Sequence, residues 1–180
     1  MRAQAHTLEA FVAALLVLGG VVFAIQATAV TPLSASTSNQ HIENQQRAQA
    51  TDLLTTTHAN DSLRSAVFMA WNATYQTNYP REGVGVALNR TFGDPGIAFN
   101  VRVTATNASV GKVFVNQGTP TDNAVTASHP VVLFDDTPHP DPAYANVSEW
   151  AQTGNFNVPD SSPDTEVYAV MEVHITVWRI

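Results

Sequence analysis

An apolar stretch near the N-terminus dominates the hydrophobic pattern of the chain. It reads AFVAALLVLGGVVFAIQATAV, from Ala10 to Val30, and Gln26 and Thr28 are its only polar side chains. A helix of this length spans roughly 31 Å, close to the hydrocarbon thickness of a bilayer. A helix buried in a domain core normally keeps a polar face, and this stretch has none. The pattern therefore predicts an apolar transmembrane helix over residues 4–30.

A polar segment, residues 31–58, follows the apolar stretch and is rich in Ser, Thr, Asn and Gln. It keeps a sparse stripe at helical spacing, formed by Ile42, Gln46, Gln49 and Leu53. The stripe favours a helix that continues the membrane segment outward, with a kink near Pro32. Disorder is the alternative for this tract.

Residues 59–180 predict a small β-rich head. The segment SLRSAVFMAW has the spacing of a short helix, with Asp61 or Ser62 as its cap. From Ile97 to Ala105, apolar and polar side chains alternate, which indicates a half-buried strand. Further strands are predicted at KVFV, VTASHPVVLF and VYAVMEVHITVWRI, and the last, being the longest, is expected inside the sheet. The predicted fold class is α+β: a long N-terminal helix, then a small antiparallel β-rich head.

Composition narrows the possible functions. The chain has 15 acidic and 8 basic residues, a formal charge of -7, and Lys112 as its only lysine. This composition is typical of proteins from high-salt surroundings, and it predicts a melting temperature that rises with molar salt. No basic patch could neutralise phosphates, so we expect no nucleic-acid binding. The absence of cysteine excludes disulfides, a lipoprotein anchor and thiolate chemistry.

A carboxylate, Glu9, lies directly against the apolar stretch. A charge in this position costs free energy, and toward the bilayer centre the cost reaches several kcal/mol. Arg2-Ala3-Gln4, then Glu9, then an uninterrupted apolar helix resembles the class III leader of type IV pilins and archaeal pilin-like proteins. More particularly, AHTLEAF, the apolar run, TAVTPLSAST and the final VWRI resemble pilin-like membrane-anchored proteins of haloarchaea.

In that family, a dedicated peptidase removes a short basic leader in front of an apolar helix that keeps a glutamate. Carried onto this sequence, the resemblance implies a leader of residues 1–3 and a mature chain that starts at Gln4, after Ala3. Cleavage one bond later would start the chain at Ala5, and both bonds stay open. Glu9 could then pair with the new ammonium group of a neighbouring subunit, which offsets the desolvation of both ions.

The resemblance also implies a function and its partners. The chain would be a structural subunit of a type IV pilus or a related surface or secretion filament, with Gly19, Gly20 and Ala24 providing a small-residue surface for helix packing. The expected partners are membrane lipid, like or related pilin subunits, the prepilin-type peptidase and the pilus assembly machinery. The protein would cross the cell membrane once, with an extracellular head, and would need neither catalysis nor a cofactor.

Two other interpretations of the N-terminal segment stay open. In one, Glu9 is an interfacial carboxylate on a plain anchor, and the head is an external binding module of the archaeal cell envelope. In the other, Ala27-Thr28-Ala29 is the A-x-A cleavage site of a secretory signal peptide, and the mature chain starts at Val30.

Sequons for N-glycosylation all follow the apolar stretch, as expected for an external head. They begin at Asn60, Asn72, Asn89, Asn107 and Asn146. Each needs an exposed position outside the membrane to be used.

The stretch DDTPHPDP brings Asp135, Asp136, His139 and Asp141 close together along the chain. Oxygen ligands at this density are candidates for a divalent cation such as calcium. The prolines are expected to hold the stretch extended, and no glycine permits the tight wrap of a calcium loop. A solvated acidic loop is therefore favoured over a metal site.

Catalytic signals are missing from the sequence. The histidines show no metal-ligand spacing, and neither a G-x-S-x-G motif nor a P-loop occurs. We therefore expect that the protein is not an enzyme.

Overall fold

The computed structural model describes residues 2–71, 83–93, 96–106, 111–121 and 123–180, with side chains in the first helix described at 9–26 and from 39 onward. The chain divides into two compact units, Met1–Ile42 and Glu43–Ile180. The second unit (the head unit) contains all the strands found among the described residues. The fold is α+β, with an N-terminal apolar helix followed by a small antiparallel sheet.

The first helix, α1, spans Arg2–Ala59. It includes the polar segment 31–58, for which the sequence favoured a helix and disorder was the alternative. Threonine hydroxyls in its last turns donate to the carbonyl four residues earlier: Thr51 to Arg47 at 2.9 Å, and Thr57 to Leu53 at 2.8 Å. These bonds satisfy the hydroxyls within the helix itself. Threonine is a poor helix former, and packing of the buried side of this segment keeps it helical.

The C-terminal part of α1 belongs to the core of the head unit. Its buried side chains recur at helical spacing and are Gln46, Ala50, Leu53, Leu54 and Thr57. Gln49, which the sequence pattern placed on this stripe, is exposed. At about 100° per residue, Gln49 lies at the margin of the face that these residues form. The buried positions give this part of the helix an apolar side that can pack in the core.

The sheet has four strands in the order β2-β1-β4-β3, and every neighbouring pair is antiparallel. The strands are β1 (Ile97–Ala105), β2 (Gly111–Val115), β3 (Val125–Phe134) and β4 (Val167–Arg179). The strands expected from the sequence are all present. The C-terminal strand β4 lies between β1 and β3, which confirms its predicted place inside the sheet.

Three short helices complete the described part of the head unit: α2 (Ser62–Trp71), α3 (Val84–Phe92) and α4 (Val147–Gln152). The helix α2 was predicted, whereas α3 and α4 were not. At the start of α2, the Ser62 amide donates to Asn60 Oδ1 at 3.1 Å, while Asp61 forms an ion pair with Arg64 at 3.2 Å. Apolar side chains of these helices join those of β1 and β4 in one hydrophobic core.

Tyr168 anchors β4 to the loop before it, because its buried hydroxyl donates to the Val158 carbonyl at 3.0 Å. Burial, and then the negative charges of Asp160 and Asp135, raise the pKa of Tyr168 above its ordinary value. The folded protein therefore holds this proton more tightly than the unfolded chain does. Stability linked to Tyr168 is present below pH about 10 and is lost as the pH rises toward the higher folded-state pKa.

We expect Tyr168→Phe to lower the free energy of unfolding by about 1–3 kcal/mol, because the Val158 carbonyl loses its buried donor. The variant should also lose part of the decline in stability above pH 10 that the wild type shows. Denaturant unfolding at neutral and alkaline pH measures both effects. Tyr144→Phe is the control, since no partner of the Tyr144 hydroxyl is found among the described residues. Equal losses of unfolding free energy in Tyr168→Phe and Tyr144→Phe would contradict this role of the Tyr168 hydroxyl.

Candidate functional site

The apolar window of α1, Glu9–Gln26, contains most of the exposed large apolar side chains in the described part of the chain. Every side chain in it is exposed, and the window is long and apolar enough to cross a membrane. The most exposed large side chains are Phe11, Leu16, Val17, Leu18, Phe23 and Ile25. Soluble proteins rarely leave such a continuous apolar surface uncovered. Its length and composition are compatible with a single-pass membrane anchor.

The predicted assembly residues all lie in this window. Glu9 is exposed at its N-terminal end, and Gly19, Gly20 and Ala24 are exposed within it. Apart from the neighbouring backbone of α1 itself, a methyl group added at either glycine would meet no atom within 4 Å. Packing within the protein therefore does not require glycine at these two positions. Close approach of a second helix, in contrast, would require small residues there. Gly20 and Ala24 are one helical turn apart and share a face.

The predicted cleavage residues are in the first turns of α1. The helix begins at Arg2, so Ala3, Gln4 and Ala5 have helical backbone. Their side chains are outside the described residues. Cleavage at either bond would leave a new N-terminus on the same helix that carries Glu9.

The sequons occupy different settings. Asn60 and Asn89 are exposed, Asn60 in the turn after α1 and Asn89 on α3. Asn146 is half-buried as the N-cap of α4, where its Oδ1 accepts from the Glu149 amide at 2.9 Å. Asn72 and Asn107 lie outside the described residues. Exposure thus favours Asn60 and Asn89 as acceptors, while Asn146 has a structural role that the sequence motif did not reveal.

A pair of variants separates capping from glycosylation at Asn146. We expect Asn146→Ala to lower the free energy of unfolding by about 1 kcal/mol, because α4 loses its side-chain cap. Asn146→Asp removes the sequon equally but keeps an acceptor oxygen, so its stability should stay close to that of the wild type. Chemical unfolding of the unglycosylated protein measures the difference. Equal losses in both variants would exclude the capping role.

The acidic stretch after β3 folds into turns instead of lying extended as expected. Thr137 closes the first turn, because the Phe134 amide donates to its hydroxyl at 2.7 Å and its own amide donates back to the Phe134 carbonyl at 3.0 Å. Asp135 Oδ1 accepts from Ser148 at 3.3 Å, Asp141 Oδ1 accepts from the Ala143 amide at 2.9 Å, and Asp136 is exposed. Among the described residues, no group of three or more acidic or imidazole side chains could hold a metal ion.

His139, which the sequence grouped with these carboxylates, is instead part of an aromatic cluster. Its ring centroid lies 4.6 Å from that of Trp150, 4.9 Å from Phe68 and 5.1 Å from Tyr144. Its Nδ1 accepts from the Asp141 amide at 3.0 Å. These contacts hold the loop against α2 and α4, and they give His139 a structural role.

The head unit also has a groove of about 530 Å³. It lies between the C-terminal turns of α1 on one side and the whole of the short helix α3 on the other. Asp52 and Leu53 lie on the α1 side, and Val86 and Arg90 lie on the α3 side. Sequence reasoning missed this groove because α3 was not predicted. It contains both charges and apolar surface, so it could bind a small polar ligand or a peptide segment.

Comparison with known proteins adds a family. Neither a curated protein nor a solved structure is similar enough to this chain to match it. The model of one family, described as a family of unknown function (DUF7288), matches residues 2–177. The match includes the apolar window of α1 together with nearly all of the head unit. The chain therefore belongs to the DUF7288 family.

Proposed function

We propose that the protein is a structural, pilin-like subunit that assembles through α1 into a type IV pilus or a related surface or secretion filament. The observation that carries the proposal is the apolar window Glu9–Gln26, whose side chains are all exposed on a helix that continues into the core of a folded head unit. This is the architecture of the pilin-like proteins that the N-terminal sequence resembles. The described head unit supplies a folded module for the filament surface.

The features of the window favour helix–helix contact over burial in lipid alone. Hydrocarbon covers any apolar side chain equally well, so lipid gives no reason for two adjacent glycines or for a carboxylate at the edge. The face with Gly20 and Ala24 allows a neighbouring backbone to come close. Glu9 then offers a partner for an ammonium group on that neighbour, and each ion offsets the desolvation of the other.

Processing supplies the ammonium group. A prepilin-type peptidase would cut after Ala3 or Gln4 and leave the new N-terminus within about one turn of Glu9 on the helix. Before assembly, the subunit would be held in the cell membrane by the same window, with its head outside the cell. There, Asn60 and Asn89 are exposed positions for glycosylation. The partners are therefore membrane lipid, related subunits, the peptidase and the assembly machinery.

Cysteine crosslinking tests helix assembly, since the chain has no cysteine of its own. Ala24→Cys lies on the face that Gly20 and Ala24 share, whereas Val22→Cys lies on the opposite side of α1, about 160° from both. In the native membrane and in sheared filaments, oxidation should give covalent dimers with Ala24→Cys and few with Val22→Cys. Equal yields at the two positions, or none at either, would contradict assembly through this face.

The groove beside α3 supports a second candidate, a single-pass anchored module whose head binds a ligand of the cell envelope. The groove lining has a cation, Arg90, and a carboxylate, Asp52, which suits a small polar ligand that carries charges of both signs. Under this alternative, neither cysteine variant forms specific dimers. Of the three variants, only Arg90→Ala reduces binding of the protein to cell-envelope material. Under assembly, Arg90→Ala leaves the crosslinks of Ala24→Cys unchanged.

A further inference from the structure

Two histidines that are far apart in sequence meet in the head unit. His58 is in the last turn of α1, and His129 is on β3. Their ring centroids are 4.5 Å apart, with an angle of 34° between the ring planes. His58 is exposed and His129 is half-buried, so solvent reaches the pair. Sequence spacing could not reveal this pair, because the fold alone brings α1 and β3 together.

The tautomer of His129 follows from its hydrogen bond. Its Nδ1 lies 2.8 Å from the Pro130 carbonyl oxygen. A carbonyl oxygen only accepts, so Nδ1 carries the proton, and in the neutral ring Nε2 keeps a free lone pair. Histidines that bind metals nearly always donate their other ring N–H in this way, to a carbonyl or a carboxylate. The bond therefore prepares His129 to act as a ligand through Nε2.

The spacing of the rings suits one shared ion. With metal–nitrogen bonds of about 2.1 Å, two imidazoles have ring centroids about 4.6 Å apart at a coordination angle of about 90° and about 5.3 Å apart at a tetrahedral angle, so the observed 4.5 Å fits the 90° angle. We propose that His58 and His129 together bind one divalent transition-metal ion of the Zn²⁺, Ni²⁺ or Cu²⁺ class, with water as the remaining ligands. Imidazole suits these ions, whereas Ca²⁺ and Mg²⁺ prefer oxygen ligands.

Such an ion would join the C-terminal end of α1 to the strand β3. Only the folded head unit brings the two rings together, so binding adds to the stability of the folded state. The site is separate from the apolar window and does not depend on filament assembly. It would give the head unit a metal-dependent clamp between α1 and β3, both of which contribute side chains to the hydrophobic core.

Calorimetric titration of the full-length protein in detergent micelles with Ni²⁺ tests the site, together with its melting temperature. We expect binding to the wild type and a higher melting temperature with the ion. Loss of an outer-shell partner already lowers metal affinity about 10- to 100-fold, so His58→Ala and His129→Ala should each lower it at least as much. The double variant should bind no more weakly than the single variants, because one ion needs both rings.

Matched variants separate metal binding from ring stacking and from unspecific histidine binding. His58→Phe keeps an aromatic ring beside His129 but has no nitrogen donor, so it should lose Ni²⁺ binding while its metal-free melting temperature stays close to that of the wild type. His41→Ala changes an exposed histidine elsewhere on α1 and should bind Ni²⁺ like the wild type. Wild-type affinity in the double variant, or a loss confined to one of the two histidines, would overturn the proposal.

Discussion

Glu9→Gln is expected to abolish incorporation of the protein into filaments while the head unit stays folded. Glutamine has nearly the same shape and helix propensity as glutamate, so the change removes little except the charge. In the assembled state, the ammonium group of a neighbouring subunit would then lie in a low-dielectric bundle without its partner. Breaking a buried ion pair in this way costs about 3–5 kcal/mol per contact, and every subunit in a filament repeats that contact.

The yield of the protein in filaments sheared from cells measures this effect, and the melting temperature of the purified variant checks the head unit. Glu43→Gln is the control, because it makes the same chemical change on α1 outside the apolar window. It should assemble like the wild type. Normal filament yield with Glu9→Gln would refute the role of Glu9 in assembly, whereas absence of the wild-type protein from sheared filaments would support a plain membrane anchor.

Leu54→Ala is expected to lower the free energy of unfolding of the head unit by about 2–5 kcal/mol. Leu54 is completely buried, with 0% of its surface exposed, and it belongs to the main hydrophobic core. Truncation removes buried apolar surface and leaves a cavity that close-packed neighbours fill only in part. An effect of this size would represent a large share of the stability of a domain this small.

Leu16→Ala provides the comparison on the same helix, since Leu16 is 72% exposed and lies in the apolar window. Denaturant unfolding in micelles, followed by the near-ultraviolet signal of the head-unit tryptophans, should show no loss for this variant. The same loss in both variants, or a loss in neither, would contradict the division of α1 into an exposed apolar window and a buried C-terminal part.

The strands were predictable because their pattern is local. In β1 and β4, apolar side chains alternate with polar ones over many residues, and one face of the sheet needs this alternation to form the core. The length of β4 also indicated its central position, since a central strand pairs along both edges. The apolar window of α1 was equally clear, because its composition alone meets the requirement of a membrane.

The helices α3 and α4 escaped prediction for different reasons. In α3, Val84, Leu88 and Phe92 are buried at helical spacing, but the segment is short, and Gly85 within it disfavours a helix. Only the core gives that short segment enough apolar contact to stay helical. In α4, the signal was present: Asn146 caps the Glu149 amide, and Glu149 accepts from the Ala145 amide at 2.6 Å. An Asn followed three residues later by Glu has the pattern of a helix cap, but from the sequence Asn146 was interpreted only as part of a sequon.

Some candidate sites could likewise be predicted from the sequence, and others could not. Glu9 and the glycines of α1 stood out in the sequence, because a charge and two small residues are unusual in an apolar helix. The His58–His129 pair and the groove beside α3 could not be found there, because each depends on elements that meet only in the folded head unit. Conversely, nearness in sequence was misleading for His139, whose ring packs among aromatic side chains.

The mature N-terminus of protein taken from its native membrane or filaments tests the proposed function most directly, and intact-mass and peptide mass spectrometry determine it. We expect a chain that starts at Gln4 or Ala5, because prepilin-type processing creates the ammonium group that Glu9 needs. A chain that starts at Met1 or Arg2 would contradict this and leave a plain anchor. A start at Val30 would contradict it too, and would identify the apolar window as a removed secretion signal.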